Sequence, residues 1–255
     1  MNVILDLDGV IWRGEDPIDG SADAVARLRA AGHRLLFVTN NSNPTVDDLV
    51  AKLEGIGVEA EGDELVTSSQ AAASLLEEGT SAFVCGGPGV AEALEARGVE
   101  PVREGDADAV VVGMHKEFDY ERLTAAFRAV MGGARLIGTN DDPTYPTPDG
   151  PIPGGGALLA AVATAAGAEP VVAGKPHEPM ADLVRERLGS DLEGTVLIGD
   201  RPSTDGLMAR QLGIRFVLVL SGVTAEAESE EQEGDVTAPD LASLVDSEGN
   251  VQESA

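Results

Sequence analysis

Short apolar runs rich in valine, isoleucine and leucine alternate with amphipathic stretches along most of this chain. The run at 3–5 is followed by a helical pattern at 21–31, a second run at 34–38 and a helix that Thr45 would cap. This alternation predicts the α/β class, with a Rossmann-like parallel sheet covered by helices on both faces. Three later runs are predicted to be further buried strands of the same sheet: 170–173, 195–198 and 216–220.

The middle of the chain carries a second α/β set of its own. Its predicted strands and helices are the runs 82–85, 109–112 and 135–138 and the amphipathic stretches 89–97 and 119–131. The segment 141–156 is rich in proline and glycine and is predicted to be irregular before an alanine-rich helix from Ala157. We therefore expect a discontinuous core, 1–71 with 169–255, and a smaller inserted α/β cap domain, 72–168.

Acidic residues dominate the charge of this 255-residue chain, since 45 Asp and Glu against 17 Lys and Arg give a formal net charge of −28. This balance argues against nucleic acid or an anionic membrane as a partner. We interpret it as adaptation to a salt-rich cytoplasm, which equal stability with and without molar KCl would contradict. The segment 226–235 holds six acids and no base, which is typical of a solvated, mobile loop.

A single cysteine, Cys85, excludes an internal disulfide framework and is compatible with a reducing compartment. The chain also starts in a strand, without a basic and apolar leader, and no apolar stretch reaches transmembrane length. We therefore expect a cytoplasmic protein.

Two acidic residues, Asp6 and Asp8, follow directly on the first predicted strand. Carboxylates cannot stay unpaired in an apolar interior, so this pair must be solvated, hydrogen-bonded or bound to a cation. A solvated turn after a buried strand, with Gly9 supplying the turn, is the simpler interpretation of an Asp-x-Asp motif taken alone.

Polar clusters also follow the other predicted core strands. Thr39-Asn40-Asn41-Ser42 follows the second strand, Gly174-Lys175-Pro176 the third, and Gly199-Asp200-Arg201 the fourth, with Asp205 five residues after Asp200. Each cluster alone has an ordinary explanation: a turn and helix cap, a surface lysine, or a helix N-cap. Because ligands bind at the carboxyl ends of parallel strands, we expect the four clusters to converge. Carboxylates, a hydroxyl, amides and one ammonium together suit phosphoryl transfer.

The chain resembles the haloacid dehalogenase superfamily in four ordered motifs: DLDGV (6–10), TNNS (39–42), GKP (174–176) and GDRPSTD (199–205). Two further segments, 110–123 and 139–161, resemble the cap of its NagD-like, p-nitrophenylphosphatase-like branch. The resemblance covers nearly the whole chain up to about Thr224 and implies a core with an inserted cap.

The resemblance also implies catalytic and metal-binding roles. Asp6 would be the nucleophile that forms an aspartyl-phosphate, and Asp8 would be the general acid and base. Mg²⁺ would be held by the Asp6 carboxylate, the Asp8 backbone carbonyl and Asp200. Asp205 would support these ligands from behind.

Further implied roles concern the phosphate and the cap. Thr39 and the Asn40 backbone would bind phosphoryl oxygens, and Lys175 would pair with both Asp6 and the phosphate. The cap would close over the site and select the leaving group. Trp12, next to the first motif, is interpreted as a packing residue.

The sequence therefore predicts a Mg²⁺-dependent phosphatase for a small phosphorylated metabolite: a sugar phosphate, phosphoglycolate or a nucleoside monophosphate. Another chemistry of the superfamily, dehalogenation or phosphonate cleavage, is one alternative, and Asp8 argues against it because a dehalogenase needs no acid there. A catalytically silent ligand-binding or regulatory protein is the other, and the intact set of site residues argues against it. A homo-oligomer formed through the cap stays open.

Overall fold

The computed structural model describes residues 1–147, 150–223 and 236–252. The acidic stretch 226–235 lies outside the described residues. In chain order, the strands are β1 Asn2–Asp6, β2 Trp12–Arg13, β3 Asp16–Pro17, β4 Arg34–Thr39, β5 Leu65–Thr67, β6 Ser81–Cys85, β7 Glu100–Val102, β8 Ala109–Val112, β9 Arg135–Gly138, β10 Thr144–Tyr145, β11 Ile152–Pro153, β12 Val171–Val172, β13 Val196–Gly199, β14 Arg215–Val219 and β15 Val236–Ala238.

Helices cover these strands. They are α1 Ser21–Ala30, α2 Val46–Gly55, α3 Ser68–Ala73, α4 Pro88–Ala96, α5 Tyr120–Met131, α6 Gly155–Ala166, α7 Glu178–Leu188, α8 Leu207–Leu212 and α9 Leu241–Leu244. The predicted start of α2 is confirmed: the Thr45 side chain accepts from the Asp48 backbone N–H, and the Asp48 carboxylate accepts from the Thr45 N–H. Every helix within the described ranges is too short or too polar to span a lipid bilayer.

The first sheet has six parallel strands in the order β15-β14-β13-β1-β4-β5. Its centre, β1 between β13 and β4, joins the start of the chain to its last third, with Val3 opposite Val196. The predicted parallel α/β fold is confirmed. Strands β5 and β15 were not predicted, because each is a three-residue segment that contains a threonine and lacks a continuous apolar run.

The second sheet has five parallel strands in the order β12-β9-β8-β6-β7. The prediction that 170–173 forms a buried strand of the first sheet is wrong: β12 pairs with β9 at the edge of the second sheet, and Val171 is 41% exposed. A two-valine run does not encode which of two sheets it joins, since both need the same apolar residues.

The segment 141–156 is also more regular than predicted. Strands β10 and β11 pair antiparallel, with Tyr145 opposite Ile152, and we call this pair the ribbon. The following helix begins at Gly155, two residues before the predicted start. Short two-stranded pairs tolerate proline at positions whose N–H is not needed, which explains why the composition hid them.

Apolar packing joins the two sheets. One continuous cluster of buried side chains contains Leu36 and Val38 from the first sheet and Val84 and Val111 from the second. Burying each such side chain contributes about 1.5–3 kcal/mol. The carboxyl ends of the first sheet therefore lie next to the second sheet and the ribbon.

Candidate active site

The carboxyl end of the first sheet holds a buried cluster of three carboxylates and one ammonium. Asp6 ends β1, Asp200 follows β13, and Asp205 lies in a π-helical turn, Pro202–Gly206. Lys175 donates from Nζ to Asp6 Oδ1 and to Asp205 Oδ1, both at 2.6 Å, and to the Val38 carbonyl at 3.3 Å. The lysine side chain is 3% exposed, so this ammonium is held inside the protein by its two carboxylate partners.

Backbone contacts orient the other two carboxylates. Asp200 Oδ2 accepts from the Val223 N–H at 2.7 Å, and Asp205 Oδ2 accepts from the Arg201 N–H at 3.2 Å. Two glycines pack against Asp200: a Cβ added at Gly9 would lie 2.5 Å from its carboxylate, and one at Gly222 only 1.9 Å. No other residue fits at these two positions without displacing the carboxylate.

Burial and repulsion between like charges raise the pKa values of Asp6 and Asp200. Burial raises the pKa of Asp6 well above its usual value, Lys175 opposes the rise, and the neighbouring carboxylates add to it. Burial, with Asp205 next in size, raises the pKa of Asp200 to about 6. Burial lowers the pKa of Lys175, but Asp205 and Asp6 together outweigh burial and raise that pKa above its usual value, which keeps the side chain an ammonium. The cluster therefore has three carboxyl groups for one ammonium, and full ionisation of these groups requires a further cation.

This donor set fits a hard divalent cation. One carboxylate oxygen each from Asp6, Asp200 and Asp205 lies within 4.8 Å of the others. Oxygen ligands of this kind suit Mg²⁺, which binds through one or two carboxylates and keeps several waters. Because both oxygens of Asp205 already accept hydrogen bonds, from Lys175 and from the Arg201 N–H, Asp6 and Asp200 are the carboxylates that could hold the metal. A role for the Asp8 backbone carbonyl stays a prediction.

The segment after β4 lies beside this cluster. Thr39 is buried, and its Oγ1 accepts from the Asn41 N–H at 3.0 Å. The Asn40 side chain donates to the Lys175 carbonyl at 3.1 Å and to Asp142 Oδ2 at 2.9 Å, and it accepts from the Lys175 N–H at 2.8 Å. Its amide therefore positions Lys175, and phosphate binding by the Asn40 backbone stays a prediction.

Asp8 lies at the mouth of the cluster and has two partners that the sequence did not reveal. Its Oδ1 accepts from the Trp12 indole Nε1 at 3.2 Å and from the Tyr145 hydroxyl at 3.3 Å. Burial raises the pKa of Asp8, while Lys52 and these two donors lower it. Trp12 is buried as predicted, yet it also contacts a candidate catalytic residue.

Residues before the ribbon connect the second sheet to the site. Asp142 Oδ1 accepts from Arg201 Nη1 at 3.4 Å, and Asp141 lies 3.1 Å from His177 Nε2. Across the same gap, Asn140 Nδ2 donates to the Asn40 carbonyl at 2.8 Å. No sequence pattern predicts these contacts, because they join residues 36 to 100 positions apart.

A cavity of about 320 Å³ lies between the site and the ribbon. Asp6, Asp8, Thr39, Lys175 and Asp200 line its inner end. Its outer end is lined by Arg13, Met114, Thr144, Tyr145, Pro146 and Thr147. This volume is at the lower end of the range of small-molecule sites, so it suits a small metabolite. The structure thus brings every predicted site residue except Asp205 to the cavity wall, and Asp205 lies behind Lys175.

Known proteins match this arrangement. A family model for haloacid dehalogenase-like hydrolases matches residues 3–100, and a HAD-hydrolase-like model matches 172–244. An acid sugar phosphatase of Staphylococcus saprophyticus is 34% identical over 232 residues, 90% of each chain. The structure of a p-nitrophenyl phosphatase from Archaeoglobus fulgidus is 32% identical, with a TM-score of 0.87 over 95% of this chain and 97% of that one.

A second solved structure bears on the metal. A glycerol phosphate phosphatase from Mycobacterium tuberculosis, in complex with magnesium, is 34% identical with a TM-score of 0.86, covering 95% of this chain and 75% of that one. Magnesium in that relative agrees with the carboxylate cluster described above, whose oxygen ligands suit the same cation. This chain belongs to the haloacid dehalogenase-like hydrolases and is an enzyme of their phosphatase type.

Proposed function

We propose that this enzyme hydrolyses a small phosphomonoester through an aspartyl-phosphate formed on Asp6. The observation that carries this proposal is the placement of Asp6 and Asp8 at one cavity, with the Lys175 ammonium 2.6 Å from Asp6. A carboxylate held by a cation can meet an anionic phosphoryl group, and a second carboxyl beside it can exchange protons with the leaving oxygen.

In the first step, a carboxylate oxygen of Asp6 attacks phosphorus, and the bond between phosphorus and the ester oxygen breaks. Asp8 gives its proton to that leaving oxygen, so the alcohol departs neutral. Lys175 and Thr39 stabilise the charge on the other phosphoryl oxygens. Mg²⁺, when bound, neutralises part of the charge shared by nucleophile and substrate.

In the second step, water attacks the phosphorus of the aspartyl-phosphate while Asp8, now a carboxylate, takes the water's proton. The bond between phosphorus and the Asp6 oxygen breaks, which releases inorganic phosphate and restores the Asp6 carboxylate. Asp8 thus serves as the acid in the first step and, having lost its proton, as the base in the second.

The substrate class is supported by the size of the cavity and by the named activities of the relatives. A cavity of about 320 Å³ leaves room for a sugar or glycerol group beyond the phosphate. The relatives described above act on sugar phosphates, p-nitrophenyl phosphate or glycerol phosphate according to their names. The segment predicted as the cap, 72–168, carries the ribbon and every strand of the second sheet except β12. In this proposal the cap contacts the leaving group.

The cellular location, the partner and the oligomeric state of the enzyme remain predictions. A cytoplasmic location agrees with Cys85, which is buried and whose pKa burial raises to about 12, so that it is an unreactive thiol. A small phosphorylated metabolite stays the predicted partner, and a homo-oligomer stays open.

The test is a panel of phosphomonoesters assayed with Mg²⁺ in high KCl, comparing the wild type with Asp6→Asn. Loss of the nucleophile should lower kcat by roughly 10³-fold or more, because the covalent route is closed. Rapid quenching with a ³²P-labelled substrate should trap phosphoenzyme in the wild type alone. Full activity in Asp6→Asn would overturn the mechanism, and absence of metal-dependent turnover on every ester would favour a silent binding protein.

A further inference from the structure

Two hydrogen-bond donors from distant parts of the chain meet on one oxygen of Asp8. The Trp12 Nε1 lies 3.2 Å from Asp8 Oδ1, and the Tyr145 hydroxyl lies 3.3 Å from the same atom. Tyr145 is 137 residues away from Asp8 in sequence. Trp12 is four residues away and lies in β2, shortly after β1.

This convergence decides which oxygen can carry the catalytic proton. A carboxyl oxygen offers two lone pairs for hydrogen bonds. Trp12 and Tyr145 occupy both lone pairs of Asp8 Oδ1, so a proton on Asp8 must be placed on Oδ2. A protonated Asp8 held in this way presents a single O–H, and the leaving oxygen must meet it at Oδ2.

The two donors differ in how they are held. Trp12 is 2% exposed, and the Lys52 ammonium lies 4.3 Å from the centre of its ring, so the indole is fixed by packing and by a cation–π contact. Tyr145 is carried by the ribbon, whose Tyr145–Ile152 pair lies outside both large sheets. The position of Trp12 is therefore fixed by packing next to the first sheet, whereas the position of Tyr145 depends on the ribbon.

We propose that Tyr145 is a positioning residue for the general acid, which completes the orientation of Asp8 only when the ribbon is in place. The inference rests on the proposed function, because it assumes that Asp8 protonates the leaving oxygen. Without the Tyr145 hydroxyl, Oδ1 has a free lone pair, so the proton can occupy either oxygen and the carboxyl can turn about its Cβ–Cγ bond. A well-oriented acid is then present for only part of the time.

The consequence depends on the leaving group. An alkoxide must receive a proton as it departs, whereas p-nitrophenolate is a stable anion that departs without one. A misplaced acid therefore slows alkyl esters and spares the nitrophenyl ester. A general loss of structure would slow both substrates equally, so this contrast separates a positioning role from a structural one.

The experiment compares wild type, Tyr145→Phe and Tyr120→Phe on p-nitrophenyl phosphate and on the best alkyl phosphate of the panel. Tyr120 is the matched control, since it is the other tyrosine of the chain and is 82% exposed. Phosphoenzyme formation is measured at saturating substrate by rapid quenching, which separates chemistry from binding. Trp12→Phe, which removes the other donor to Oδ1, is measured in parallel.

We expect Tyr145→Phe to slow phosphoenzyme formation from the alkyl ester about tenfold and from the nitrophenyl ester less than about twofold. Trp12→Phe should show the same contrast, and Tyr120→Phe should match the wild type on both esters. Equal losses on both esters in Tyr145→Phe, or no loss on the alkyl ester, would overturn the inference. A wild type that forms no phosphoenzyme with either ester would instead overturn the proposed function, and the inference with it.

Discussion

The two ends of the cavity are built differently. We call the inner end, at Asp6, the phosphate end, and the outer end, at the ribbon, the leaving-group end. At the phosphate end, Lys175 joins Asp6 and Asp205 at 2.6 Å, and all three side chains are less than one-tenth exposed. At the leaving-group end, the ion pair that links the second sheet's side to the first sheet is longer and more exposed: Arg201 lies 3.4 Å from Asp142, with 25% and 19% of these side chains exposed.

This difference fits the two roles proposed above: the reaction takes place at the phosphate end, and the substrate is selected at the leaving-group end. Buried, short ion pairs keep one geometry because any departure leaves an unpaired charge in an apolar interior. Exposed, longer pairs contribute little and can be broken at small cost. The phosphate end is therefore suited to a fixed reaction, and the leaving-group end to a surface that separates from the substrate and returns to it.

The largest effect is expected from removing the buried ammonium with Lys175→Met. Two carboxylates, Asp6 and Asp205, would then lie buried without a cationic partner, so the free energy of unfolding should fall by about 3–5 kcal/mol. Urea unfolding at neutral pH in EDTA measures this. Lys116→Met, at an exposed lysine, is the control and should change stability by less than about 0.5 kcal/mol. Equal stability of the two variants would show that the buried pairs do not hold the phosphate end together.

A smaller effect is expected from pH at the same end. Since the pKa of Asp200 is raised to about 6, a proton competes with Mg²⁺ below that pH and is already lost above it. Affinity for Mg²⁺ should therefore fall about tenfold between about pH 7 and pH 5, measured by titration calorimetry. Asp200→Asn should bind more weakly with a shallower pH dependence. A flat profile in the wild type would contradict the assignment of Asp200 as a ligand.

The smallest effect is expected at the leaving-group end. Asp142→Asn removes the charge that pairs with Arg201 but keeps an acceptor for Asn40, so stability should fall by less than about 1 kcal/mol. This loss should vanish in about 1 M KCl, which screens exposed pairs, whereas the loss in Lys175→Met should persist there.

Asp182→Asn breaks an exposed ion pair with Arg185 at 2.8 Å and is the control for that comparison. Unfolding in low and high KCl measures all three variants. If the Asp142→Asn loss resists salt as strongly as the Lys175→Met loss, the two ends of the cavity do not differ in the way described.

Much of the first sheet could be predicted from sequence, because β1, β4, β13 and β14 carry continuous apolar runs, and β1, β4 and β13 are followed by polar clusters. The cluster of Asp6, Lys175 and Asp200 was predicted on the same ground and lies together as expected. Lys175 reached the site although β12, before it, joins the other sheet. Gly174 connects β12 to Lys175 and lies so close to Asn40 that an added Cβ would be 2.6 Å from the Asn40 Oδ1. A larger residue would therefore disturb this connection.

The leaving-group end could not be predicted. Tyr145 lies between prolines in a segment whose course depends on pairing with Ile152, and no periodic pattern marks a two-residue strand. Asn40 illustrates a second limit: its sequence motif implied phosphate binding through the backbone and did not reveal that its side chain bonds Lys175 and Asp142. Hydrogen bonds across 100 or more residues depend on tertiary packing that local sequence does not contain.

The central pairing of β1 with β13 also sets when the enzyme can first work during its synthesis. Val3 meets Val196, so the strand that carries Asp6 has no neighbour on that side until about 190 more residues have left the ribosome. At about 5–20 residues per second, this takes about 10–40 s. Throughout that time β1, which ends at Asp6, has one unpaired edge, and the nascent chain, which still lacks Asp200, can neither complete the carboxylate cluster nor turn over a substrate.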